Sequence, residues 1–291
     1  YAHPNEMGAA IVAAAAEAGI RLTLLDTCYL HGGVGNQPPD EVQRRFSDGT
    51  ADAWADRARS RRALASDTVR LGAAVHSVRA VDPDSITTVA EVAAAEGWPL
   101  HAHVSEQPAE NAACKVRHGR TPTELLGDRG ALGEAFTAVH ATHLADGDVA
   151  LLGGARCTVC VCPTTERELA DGIGPAPELV AAGVRLALGS DSHAVVDPIE
   201  ETRALELDER LRSGRRGTFD VAALLAAATC AGHAALGWPE AGRIAPGAIA
   251  DLVTVDLGSA RTAGATAAEA LGAAVFAATA ADVVDVVVGG R

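Results

Sequence analysis

Residues 99–107 read Pro99-Leu100-His101-Ala102-His103-Val104-Ser105-Glu106-Gln107. Leu100, Ala102 and Val104 alternate with His101, His103 and Ser105, the period-two pattern of a β-strand. Glu106 and Gln107 come just past its end. If this strand is one stave of a parallel barrel, an imidazole and a carboxylate meet at its C-terminal mouth, where barrel enzymes keep their chemistry. A lone His-x-His fits a merely packed strand equally well, so its meaning depends on the flanking sequence.

Outward from that strand the same unit recurs. Apolar strands are expected at 22–30, 70–75, 137–140, 158–162 and 184–191. Helical patterns fall at 54–64, 87–96 with Ser85 as cap, 109–116, 123–126, 146–152, 178–182, 199–211 and 221–228. Asn5 is expected to cap an alanine-rich helix that Gly19 ends. Six strand-then-helix units predict an α/β fold with a parallel sheet and helical crossovers. Residues 31–48, rich in Gly, Pro and Asn, are long for a connector; they form a candidate substrate-covering loop, with a plain surface loop as the alternative. After Gly242 the pattern turns β-rich, at 250–255 and 285–288. The expected division is a barrel over 1–241 and part of a small β-domain over 242–291.

The 291 residues can bury a sizeable core, built from small aliphatic side chains because only 3% are aromatic. Acidic residues outnumber basic ones 38 to 24, which argues against nucleic acid or an anionic membrane as partner. An anionic small-molecule substrate would need dedicated local cations. Six cysteines without scaffold-like spacing point to a reduced, cytoplasmic chain. The sequence starts at Tyr1 without methionine, and a longer natural chain is expected.

Taken together, the strand ends carry His76 with Arg79, His103 with Glu106, His140 with His143, and Asp191 with His193. Imidazoles and carboxylates converging on one mouth make the donor set of a metal hydrolase. A divalent ion there would lower the pKa of a bound water towards neutrality. Glu106 could then move a proton to a departing nitrogen, Asp191 could ligate the metal and hold the attacking water, and His140 could orient that water or stabilise charge on the substrate. His76 could instead simply end its strand. His101 is expected against the helical layer, His143 and His193 either beside the site or at the surface, and His31 in the covering loop. Cys157-Thr-Val-Cys160-Val-Cys162 looks like a zinc motif, but strand alternation puts Cys157 opposite the other two, so buried small side chains are expected.

The sets His76-Ser-Val-Arg79, His103-Val-Ser-Glu106-Gln107, His140-Ala-Thr-His143-Leu144, Cys162-Pro-Thr-Thr-Glu166 and Gly189-Ser-Asp191-Ser-His193 resemble the amidohydrolase superfamily. Within it they look most like the formimidoylglutamate deiminases of histidine degradation. The tail from Gly242 to Val253 is similar to the superfamily's composite β-domain. The resemblance implies a (β/α)8 TIM barrel with one Zn2+ per subunit, bound by a first-strand His-x-His, a fifth-strand His and an eighth-strand Asp. Carried over, the metal ligands are His103 and Asp191, Glu106 is the proton shuttle, and His140 is the sixth-strand histidine. His76, Arg79 and, more weakly, Tyr29 would bind substrate, and a homodimer is implied.

There is one departure. No first-strand His-x-His is present, since His101 and His103 lie on the fifth strand, so the first two barrel strands are expected to be missing and metal retention to be poor. Binuclear members use a carboxylated lysine on the fourth strand, whereas Lys115, the sole lysine, follows the fifth. A mononuclear deaminase-like site is what remains, and the resemblance implies formimidoylglutamate as its substrate, with an imidazolonepropionase, a nucleobase deaminase or a metal-free non-catalytic domain as alternatives.

Overall fold

The computed structural model describes residues 3–192 and 195–291. Six parallel strands pair in chain order: β1 (Leu22–Cys28), β2 (Val69–Val75), β3 (Leu100–Val104), β4 (Phe136–His140), β5 (Thr158–Val161) and β6 (Arg185–Leu188). Parallel neighbours need crossovers, and helices supply them. These are α1 (Glu6–Ala18) before β1, then α2 (Ala51–Ser60), α3 (Pro83–Glu96), α4 (Pro108–His118), α5 (Pro122–Asp128), α6 (Asp146–Gly154), α7 (Pro163–Glu168), α8 (Ala176–Ala181) and α9 (Pro198–Ser213). The six strands read from the sequence are all found, each within about three residues of its expected end.

Two expected caps are not made. Asn5 gives no capping hydrogen bond to α1; its side chain goes instead to Ser60 and Arg61. The cap of α3 is Asp82, which accepts from the backbone N–H of Ser85 at 3.1 Å, so Ser85 sits inside the first turn. Pro83 at the helix start favours this earlier boundary. Helix α7, six residues opening on Pro163, has no counterpart among the expected elements.

The core lies between strands and helices and is built of small side chains such as Val75, Val104, Ala138 and Val159, with Ile86, Val89, Leu126 and Leu152 from the helices. All six cysteines are free; Cys157 and Cys162 are buried. Cys160 and Cys162 share a face, since both thiols lie just over 3 Å from where a side chain on Gly189 would begin. No three of the motif's cysteines form a metal-type cluster among the described residues.

After α9 the chain forms α10 (Val221–Ala226), a π-helical turn (Ala227–Ala231) and α11 (Gly232–Ala235). The tail contributes β7 (Leu252–Val255) and β8 (Val283–Val287), an antiparallel pair, with α12 (Ala270–Phe276) between them. Both expected strand pieces are found, and α12 fills the stretch between them, for which no element was expected. Among the described residues, no helix is long and apolar enough to cross a membrane.

Candidate active site

The C-terminal ends of β2, β3, β4 and β6 bring His76, His103, His140 and Asp191 together. Their loops are tied across strands by backbone hydrogen bonds: His103 N–H to His76 O, Ala141 N–H to Val104 O and His143 N–H to Ser105 O. Among the described residues, seven other than glycine have positive φ, and four of them lie here: Ser105 (50°), His140 (68°), Ala141 (53°) and Asp191 (48°). Such conformations cost free energy and persist only where the surroundings impose them. At His140 the left-handed turn ends the strand alternation. Its ring lies nearly parallel to that of His103, with centroids 5.6 Å apart.

One ligand atom each from His103, His140 and Asp191 lies within 4.8 Å of the others. His140 Nε2 is 3.7 Å from both Glu106 Oε1 and Asp191 Oδ2. This buried nitrogen has no hydrogen-bond partner among the described residues. His103 Nδ1–H donates to the carbonyl of His76 at 2.7 Å, which leaves Nε2 as a bare lone pair. A neutral imidazole held by a carbonyl on its far nitrogen is the arrangement that metal-binding histidines require. With Asp191 as oxygen donor, this mixed nitrogen and oxygen set suits Zn2+.

Electrostatics agree with that division of labour. Burial, aided by His140, holds His103 below the usual histidine range, so it is neutral. Burial, aided by the neighbouring His103 ring and the positive charge of Arg79, pushes His76 down to about 3. At His140 burial opposes the charged form, but the Glu166 hydrogen bond and the carboxylates of Glu106, Glu166 and Asp191 outweigh it, so proton affinity is raised.

The His76 and Tyr29 rings meet in a T-shaped pair with centroids 4.6 Å apart. Both residues line a cleft of about 600 Å³ whose wall includes Gln43, Arg45 and Phe46 of the 31–48 loop. Arg79 Nη2 donates to Glu106 Oε2 at 3.1 Å. The arginine expected to meet substrate thus also grips the expected proton shuttle.

Other histidines are used elsewhere. His101 bonds to the carbonyl of Ala235 in α11 (2.9 Å) and His31 pairs with Asp82 (3.0 Å). His143 donates to the carbonyl of Asp171 (2.7 Å) and stands outside the metal-type cluster. His193 lies outside the described residues. Lys115 is exposed on α4, away from any strand.

Two further groups at the site have no role that the sequence indicates. They are Glu166, the last residue of the Cys162–Glu166 motif, and Glu110 in the first turn of α4, four residues beyond Glu106. The Glu110 side chain is fully buried, with Arg79 Nε 3.9 Å away, and it accepts from the Glu106 N–H at 3.2 Å. Burial pushes its carboxyl up to about 7, against the pull of Arg79. Because the folded state binds this proton more tightly than the unfolded chain, the stability it confers is complete below the unfolded value and is lost as pH rises towards 7. The cost of the buried anion is on the order of 3 kcal/mol. Glu110→Gln should therefore match the unaltered chain near pH 4.5 and exceed it in stability by roughly 1–3 kcal/mol above pH 7. Urea midpoints at the two pH values measure this; an equal difference at both would contradict it.

Comparison with known proteins follows the same pattern. The amidohydrolase family model matches residues 1–291. Formimidoylglutamate deiminase of Pseudomonas aeruginosa is 39% identical over 263 residues, covering 88% of this chain and 58% of that protein. Among solved structures, an amidohydrolase from Brucella melitensis superposes with a TM-score of 0.89 at 34% identity, covering all of this chain and 65% of that one. An adenosine deaminase from Xanthomonas campestris with bound zinc gives 0.81 at 26% identity, covering 96% and 62%. The chain thus spans roughly three-fifths of the length of these relatives. Strand order, the donor set at the strand ends and a family match running from end to end agree, and the chain belongs to the amidohydrolase family, with its α/β TIM-barrel fold.

Proposed function

We propose that this chain carries the catalytic side of a zinc-dependent deiminase that hydrolyses N-formimidoyl-L-glutamate to N-formyl-L-glutamate and ammonia. The observation that carries the hydrolytic reading is the close approach of His103, His140 and Asp191 with the Glu106 carboxylate beside them. The choice of substrate rests on similarity to the Pseudomonas aeruginosa deiminase. In this reading His103 and Asp191 hold one zinc per subunit, and residues 1–241 act as the barrel and 242–291 as part of a β-domain. The enzyme is a cytoplasmic homodimer.

When bound, the metal supplies a water acidic enough to lose its proton near neutral pH. Glu106 would accept a proton from the attacking water and pass it to the amidine nitrogen as the water oxygen bonds to the amidine carbon; the second water proton follows to the same nitrogen, and the carbon–nitrogen bond breaks to release ammonia. His140 turns Nε2 to the side of the site where Glu106 and Asp191 stand and orients the attacking water there. Neutral His76 and Tyr29 line the approach. Arg79 keeps Glu106 in place through Nη2 and offers its remaining donors to a substrate carboxylate, the local cation that a chain of net charge −14 needs for a dianion.

Arg79→Ala should raise KM for formimidoylglutamate about 10- to 100-fold, the loss of a charge-assisted hydrogen bond. Steady-state kinetics check this, and an unchanged KM would remove the carboxylate role. The reading as a whole is tested by ammonia release from the zinc-loaded protein, with formimidoylglutamate as the expected substrate and adenosine inert. Turnover of adenosine alone would favour the second reading, a nucleoside deaminase, to which the Xanthomonas campestris neighbour points.

A further inference from the structure

Glu166 is buried, with 5% of its surface exposed, in the first turn of α7. Its Oε1 accepts two hydrogen bonds, from the backbone N–H of Cys162 at 2.8 Å and from His140 Nδ1 at 3.3 Å. The first alone would make it a local brace for the start of a short helix. The second reaches to the end of β4, to a ring whose backbone is held at a φ of 68° and whose other nitrogen faces Glu106 and Asp191 at 3.7 Å.

We propose that Glu166 is a positioning residue that fixes the tautomer of His140. A carboxylate only accepts hydrogen bonds, so the nitrogen facing it must carry the hydrogen. Neutral His140 is then the Nδ1–H form, with the Nε2 lone pair turned to the site. That lone pair can accept a hydrogen bond from water or substrate. The opposite tautomer would present a donor to the site and leave Glu166 Oε1 facing a bare lone pair. The Cys162 N–H holds the same oxygen from the helix side, so the carboxylate cannot swing away without leaving a buried donor unpaired. The catalytic consequence rests on the deiminase reading above; the tautomer itself does not.

The test is therefore spectroscopic first. With 15N-labelled histidine in the zinc-loaded protein, two-bond proton–nitrogen spectra distinguish the two neutral tautomers and the imidazolium, and loss of peaks in His140→Asn assigns the ring. On the alkaline side of its titration His140 should show the Nδ1–H pattern. Glu166→Gln, whose amide oxygen can accept both bonds, should keep it. Glu166→Ala should move it towards the Nε2–H pattern and lower kcat about 10- to 100-fold, the usual scale for losing such a supporting partner, with KM little changed. An Nε2–H pattern in the unaltered protein would overturn the proposal without any variant having to fold. So would a Glu166→Ala spectrum that is folded and unchanged at His140. Failure of the deiminase reading looks different: the tautomer pattern would hold while formimidoylglutamate is not turned over.

Discussion

Glu106→Gln is expected to lower kcat by about 10²- to 10⁴-fold, the range in which a positioned general acid or base contributes. Glutamine keeps the size of the side chain and can still accept from Arg79 Nη2, so the 3.1 Å contact that steadies Glu106 has a substitute. What it cannot do is take and release a proton. Glu106 Oε1 lies 3.7 Å from His140 Nε2, on the side of the ring where Asp191 also stands, which places its carboxylate beside the proposed ligands without being one of them. Zinc content should therefore be unchanged and KM should move little. Single-turnover and steady-state rates on the zinc-loaded protein measure the effect, with metal analysis as the control. A rate within a few-fold of the unaltered enzyme, at equal zinc, would remove Glu106 from the proton path.

A comparably large effect is expected far from the chemistry. Asp26 on β1 is buried and accepts from two arginines of the α2 region. Arg57 binds it through both terminal nitrogens at 3.0 and 2.8 Å, and Arg61 Nη1 binds it at 2.5 Å. Arg61 is itself buried, and burial depresses its proton affinity even with Asp26 present. Removing one partner of a buried ion pair leaves an uncompensated charge, which typically costs several kcal/mol. Asp26→Ala should cost about 3 kcal/mol, at the low end because Arg57 keeps Asp48 and Arg61 keeps the oxygens of Asn5 and Pro4. The measurement is the urea midpoint at unchanged slope. A loss below about 1 kcal/mol would show that water replaces the carboxylate.

Both predictions concern side chains whose partners lie far along the sequence, and this marks where sequence reading stopped. Strand positions were legible because alternation and strand length are local. Residues 100–104 are a strand in pattern and in space, and the histidines and carboxylates just past the strand ends converge as a parallel sheet requires. Caps were less legible. Asn5 and Ser85 are good capping residues by type, yet Asn5 turns to Arg61 and Ser60, and Asp82 with Pro83 starts α3 earlier. In the tail both expected strand pieces are found, but the alanine-rich stretch between them, which carried no assignment, folds as α12, because short apolar runs do not separate helix from strand by period alone.

By itself, then, the sequence determined the α/β alternation, the order of the strands and the chemical types at their ends. These depend on period-two and helical patterning and on residue identity, which a single chain segment carries within itself. Only the tertiary structure decided how those groups share the work. It turned His140 onto His103 through a strained φ, gave the Arg79 guanidinium to Glu106, buried Glu110 behind that pair, and set Glu166 against His140 Nδ1. Each of these depends on contacts between segments about 30 residues apart and on burial that no segment has alone. Such contacts set charge, tautomer and orientation, which residue type leaves open.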